Sequence, residues 1–129
     1  MRRVMLVFLA GSILLAQDFK PYTGSKLDEK ATREASAAAP GKQSDVYTTS
    51  DSFDKVYAFY KAMYKEFPMS RQPPKQPSGQ QIKWAFFILD SGTTLANSKY
   101  WMKIQRPYIG GVDGSDTRDI TVIQTIRSK

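Results

Sequence analysis

The side chains able to do chemistry in this sequence are few in kind. None of its 129 residues is cysteine or histidine. A thiol nucleophile, a Ser-His-Asp triad and the usual Cys/His zinc sites are therefore excluded. So is the side chain that most often serves as a general base near neutral pH. Carboxylates, Lys, Tyr and Ser remain. Asp90 and Asp119 flank predicted strands, and paired carboxylates are what glycoside hydrolysis needs. With 12 acidic residues, however, chance proximity is common. Asp113, Asp116 and Asp119 recur at intervals of three beside glycines, and such oxygens suit a hard cation. The pattern lacks the alternating Asp/Asn loop closed by Glu that marks a helix–loop–helix calcium site, and a polar hairpin turn accounts for it. Gly110-Gly111-x-x-Gly114 leads into a strand, the wrong context for a phosphate cradle. No catalytic residue, cofactor or metal ligand is assigned.

A basic and aromatic set offers binding chemistry instead. Lys83, Phe87, Lys99, Trp101, Lys103 and Arg127 fall on one predicted sheet face. There, rings could stack on sugars, bases or partner side chains while the cations attract anions. The competing expectation is that residues 17–44 pack over this face and hide it.

Positioning these residues requires a small α+β domain. Val46–Thr49 reads as a strand. Ser50 and Asp51 are cap candidates for a helix whose face recurs as Phe53, Val56, Tyr57, Tyr60, Met63, Tyr64 and Phe67, with Pro68 as its stop. Arg71–Gln81 carries three prolines and a glycine and reads as a loop. Strands are expected at Ile82–Leu89, Lys99–Gln105 and Asp119–Arg127, the last two separated by a glycine- and aspartate-rich turn. The order β-α-β-β-β predicts one amphipathic helix on an antiparallel sheet of about four strands. The period of two assigns Ile82, Trp84, Phe86, Ile88, Tyr100, Met102, Ile104, Ile120, Val122 and Ile126 to the face beneath the helix.

Ahead of this domain (45–129) lies a polar lead-in, 17–44, in which Lys26–Ala39 has helix formers with Leu27, Ala31 and Ala35 four apart. Residues 1–16 have the form of a secretory signal: Arg2-Arg3, the apolar run Val4–Leu15, and a small residue at Ala16. The run is shorter than the roughly 17–25 residues that span a bilayer, so no integral span is expected after cleavage. The sequence thus predicts an exported protein, periplasmic or extracellular. Its net charge of +7 serves solubility and favours anionic partners. Export argues against nucleic acid and for a protein or an anionic envelope component.

Thr49-Ser50-Asp51-Ser52 followed by Val56, Phe59 and Tyr60 resembles small exported bacterial domains of unknown function. In those, a Thr-Ser-Asp-Ser stretch opens a helix with a Val-x-x-Phe-Tyr core and hairpin strands follow. Pro21-Tyr22-Thr23-Gly24-Ser25 matches their Tyr-Pro-Gly-Ala only loosely, and Phe67-Pro68 stands where they often carry Gly-Trp. The resemblance covers residues 21–67 and implies the architecture but no activity. The leading functional expectation is a non-catalytic binding or protein-interaction module. A carboxylate-based hydrolase and a peripheral binder of anionic surfaces that uses the Arg71–Lys75 loop are the alternatives.

Overall fold

The computed structural model describes residues 19–69, 73, 75–76, 79–111 and 114–129; the expected signal, residues 1–16, lies outside them. Alternating apolar residues build a six-stranded antiparallel sheet. Its strands are β1 (Lys26–Leu27), β2 (Lys42–Thr49), β3 (Lys65–Phe67), β4 (Lys83–Ile88), β5 (Tyr100–Arg106) and β8 (Thr121–Ser128), in the order β1-β2-β8-β5-β4-β3. A separate hairpin joins β6 (Tyr108–Gly110) to β7 (Asp116–Arg118). Two helices, α1 (Glu29–Ala38) and α2 (Phe53–Lys61), lie on opposite faces of the sheet. None of the described helices is long and apolar enough to cross a membrane.

Helix α2 begins where Ser52 accepts a hydrogen bond from the Lys55 N–H (3.2 Å). Such a cap satisfies one of the donors that a helix start leaves open. Asp54 in the first turn and Lys61 in the last suit the helix dipole. Val56 and Tyr60 point fully buried onto Ala85, Phe87, Leu89, Met102, Ile104 and Ile123. The small Ala85 lets the helix approach the sheet. The edge of this core is closed from the lead-in: Phe19 stacks on Tyr60 at 5.6 Å, and the Tyr60 hydroxyl donates to the Lys20 carbonyl (2.7 Å). Tyr22 meets the Phe59 ring edge-on and donates to Asp51 Oδ2 at 2.6 Å.

Helix α1 closes a different gap. The outer edge of β2 would leave backbone donors and acceptors unpaired beyond the two residues of β1. Asp28, Thr32 and Ser36, one helical turn apart, meet that edge. The Asp28 N–H donates to the Val46 carbonyl (2.8 Å), and the Val46 N–H donates to Thr32 Oγ1 (2.9 Å). The Ser44 N–H donates to Ser36 Oγ (3.3 Å), which donates back to the Ser44 carbonyl (3.1 Å). The same helix buries Ala31 against Val46, Tyr108 and Val122 in a second, smaller core.

Several expectations need correction. The sheet has six strands rather than about four, and the described residues form two helices rather than one. Helix α2 ends at Lys61, not before Pro68, because Lys65–Phe67 leave it to pair with Ile88–Phe86 at the edge of β4. Met63 is consequently 40% exposed, and Phe67 belongs to a strand. The expected turn after β5 contains the β6–β7 hairpin. Face assignment holds for β5, where Tyr100, Met102 and Ile104 lie beneath α2, but is inverted for β4 and β8. Ala85, Phe87 and Ile123 face α2; Trp84, Phe86, Ile88, Val122 and Ile126 face away.

Tyr60 carries this core. Tyr60→Ala is expected to lower stability by about 3–5 kcal/mol, whereas Met63→Ala, on the exposed side, should change it by about 0.5 kcal/mol or less. Urea unfolding monitored by circular dichroism checks the contrast; equal losses would mean that α2 docks through another face.

Candidate binding surface

On the sheet face away from α2, the pairing sets side chains in rows. Val46, Gln124, Lys103 and Phe86 form one row across β2, β8, β5 and β4. Ser44, Ile126, Trp101 and Ile88 flank it on one side, and Thr48, Val122, Gln105 and Trp84 on the other. Lys103 thus occupies an interior position of the sheet. Its neighbours in the β4 direction are aromatic: Trp84 and Phe86 meet edge-on at 5.7 Å, and Phe86 and Trp101 are tilted at 6.1 Å. These are the chain's only two tryptophans.

Lys103 is half-buried and, among the described residues, its amine makes no hydrogen bond or ion pair. Burial alone pushes its pKa below the ordinary lysine range. Desolvation disfavours the charged form, and no neighbouring carboxylate restores it. The nearest polar side chains are the half-buried Gln105 and Gln124. Gln105 donates to the Pro107 carbonyl (3.1 Å), while Gln124 makes only a long 3.5 Å contact to Ser44 Oγ.

One strand away from Lys103 at Gln124, and two at Val46, begins a groove of about 530 Å³ between α1 and the β6–β7 hairpin. Ala31, Ala35 and Ala38 form one wall, with Tyr108 and Ile109 opposite. The hairpin is held against α1 by Arg118, which pairs with Asp28 (3.1 Å) and approaches Asp116 through Nε at 3.2 Å. That second approach is an ion pair in distance but not a well-aimed hydrogen bond, since Nε has no hydrogen-bond partner. The Arg118 guanidinium also lies 4.4 Å over the Tyr108 ring. A side chain at Gly110 would collide with that ring, so glycine keeps this wall thin. The Ala31 N–H, followed by Arg118, holds the Asp28 carboxyl below its usual range.

The six residues singled out by sequence do not form one surface. Phe87 is fully buried beneath α2, 5.9 Å from the Tyr57 ring. Lys83 lies on the α2 side, 3.8 Å from Asp54. Arg127 stacks over Tyr100 at 4.2 Å on that same side. Lys99 is exposed in the turn before β5. Only Trp101 and Lys103 share the face described above. Gln105, also expected on that face, joins them, and Trp84, Phe86 and Gln124, which were not anticipated there, complete it. The missing signal is the phase of β4: Ile82–Leu89 is apolar at both parities apart from Lys83, so alternation cannot orient it, and a one-residue slip inverts every side chain.

The carboxylates are occupied elsewhere. Asp90 accepts from Ser98 Oγ (2.7 Å), the Lys99 N–H (2.7 Å) and the Gly92 N–H (3.0 Å), and these bonds outweigh its burial and lower its pKa. Asp119 pairs with Arg106 at the opposite end of the sheet. The two lie more than about 20 Å apart along strands rising about 3.3 Å per residue. Carboxyl pairs that cleave glycosides stand roughly 5–9.5 Å apart, so these two do not form one. Asp116 serves Arg118, and Asp113 lies outside the described residues. Compared with known proteins, the chain matches no family model, no curated protein and no solved structure.

Lys103 should weaken the isolated fold. Lys103→Met is expected to raise stability at neutral pH by roughly 1–2 kcal/mol, as an apolar side chain of similar length replaces an uncompensated charge. Because the folded pKa is depressed, the unfolded chain holds more protons between the folded value and the ordinary lysine range. Wild-type stability therefore rises with pH across that window, and the advantage of Lys103→Met shrinks. Denaturant unfolding at neutral and alkaline pH measures this; a variant less stable than wild type at neutral pH would contradict it.

Proposed function

We propose that this chain is an exported, non-catalytic binding module that receives an anionic group of its ligand at Lys103, between Trp84, Phe86, Trp101 and the two glutamines. The observation that supports it is a partly desolvated cation without a counter-ion among the described residues, on an aromatic surface. Such an arrangement costs stability in the free protein and returns it when an anion arrives, which is the signature of a site rather than of packing. Aromatic residues at the centre of a surface with few charges are also the composition of binding patches. The net charge of +7 steers anions towards the molecule without selecting among them. An anion-bearing component of the cell envelope fits the expected export, and the ligand meets Lys103 through charge and the rings through apolar area.

Intrinsic fluorescence reads this surface directly, because both tryptophans flank Lys103. Titration with benzoate and with inorganic phosphate should give a saturable change for at least one of them. Lys103→Met should weaken that response at least about tenfold, while Lys99→Met, at an exposed turn, should leave it unchanged. An unaltered response in Lys103→Met, or no saturable response to either anion, would remove the basis of the reading.

A further inference from the structure

Lys103 and the groove along α1 are separated by a single strand. Gln124 belongs to both: it lines the groove and pairs directly with Lys103. The groove's own surface is almost without donors. Ala31, Ala35 and Ala38 present methyl groups along about 10 Å of helix, Val46 forms the floor, and Tyr108 and Ile109 close the far side. Its charged lining residue is Glu34, exposed at the rim and 4.0 Å from Lys30. The combined feature is polarised, with a carboxylate at the helix rim and an unpaired ammonium about one strand spacing beyond Gln124. An apolar body fits the middle, and an anionic head fits only the Lys103 end.

We propose that the groove between α1 and the β6–β7 hairpin takes the hydrocarbon chain of a fatty-acid-like carboxylate whose head lies at Lys103. The inference rests on the anion site proposed above and adds the class of ligand. A single lysine with two neighbouring amides matches a singly charged, planar head. A phosphate monoester would call for several cations or a cluster of backbone N–H groups, and no arginine stands in the three rows around Lys103. A groove of about 530 Å³ is within the roughly 300–1,000 Å³ typical of ligand pockets. Gly110 matters here as well, since the Tyr108 ring lies over it and leaves no room for a side chain at that wall.

The test is a fluorescence titration of the folded protein with monomeric butyrate, octanoate and laurate, and separately with phosphatidylglycerol vesicles. Affinity should rise about threefold to fourfold per added methylene until the groove is filled. Ala38→Phe, at the exposed end of the helix wall, and Ala35→Leu, deeper in it, should each abolish the dependence on chain length while leaving butyrate binding intact. Circular dichroism establishes that each variant is folded, and either folded variant suffices. A response that depends on Lys103 but is the same for butyrate and laurate would overturn the groove assignment and leave the anion site standing. Laurate binding that is not weakened in Lys103→Met would overturn the anion site and, with it, the inference. Binding to vesicles without binding to monomeric laurate would show that a lipid surface, not a single amphiphile, is the partner, and would overturn the inference.

Discussion

The register between β4 and β5 decides what both faces of this protein are. Phe87 pairs with Met102 and Ala85 with Ile104, so these four side chains meet beneath α2. Once they do, the period of two leaves no choice for the alternate positions. Trp84, Phe86, Trp101 and Lys103 must stand on the other side. The core under Val56 and Tyr60 and the surface around Lys103 are consequences of a single pairing. A slip of one residue would set Phe87 opposite Lys103 or Trp101, so that either Lys103 would be carried beneath the helix or Phe87 turned away from it.

That constraint explains an imbalance in how the two faces are covered. Helix α2 rests on β4 and β5 and is sealed by Phe19 and Tyr22, so its side is a continuous aromatic and aliphatic core. Helix α1 packs instead on β2, where Thr32 and Ser36 satisfy the strand's free backbone groups. Because α1 is tied to the sheet edge by these bonds, it does not reach over β5, and the middle of that face stays half-buried around Lys103. The lead-in therefore does both things that could be expected of it: its first residues close the α2 core, and its helix covers one end of the opposite face.

The parts legible in the sequence were those with an unambiguous period. Ser52, Val56 and Tyr60 announce a capped amphipathic helix, and Tyr100-x-Met102-x-Ile104 announces one apolar edge of a strand. Ile82–Leu89 does not announce a face, because its alternate positions are apolar at both parities and the eleven-residue connection to β5 hides the register. Lys65–Phe67 is too short to read as a strand, and β4 supplies from outside the backbone partners that its local pattern cannot promise. Lys103 was visible as a polar position opposite a core, which ordinarily means solvent. Its partial burial comes from β4 and β8 on either side and from the neighbouring rings, none of which is adjacent in sequence. A charged residue two positions from tryptophan in a strand with partners on both edges was the available clue.

The account stands on the state of one amine. Reductive methylation with ¹³C-formaldehyde makes each lysine visible by NMR, and Lys103→Met identifies its resonance by loss. Lys103 should titrate below the ordinary lysine range, and its midpoint should move upward when laurate is added, as a bound carboxylate restores the preference for the charged form. A Lys103 resonance that titrates in the ordinary lysine range, with and without laurate, would contradict both the desolvation of the amine and its role as the anchor of the site.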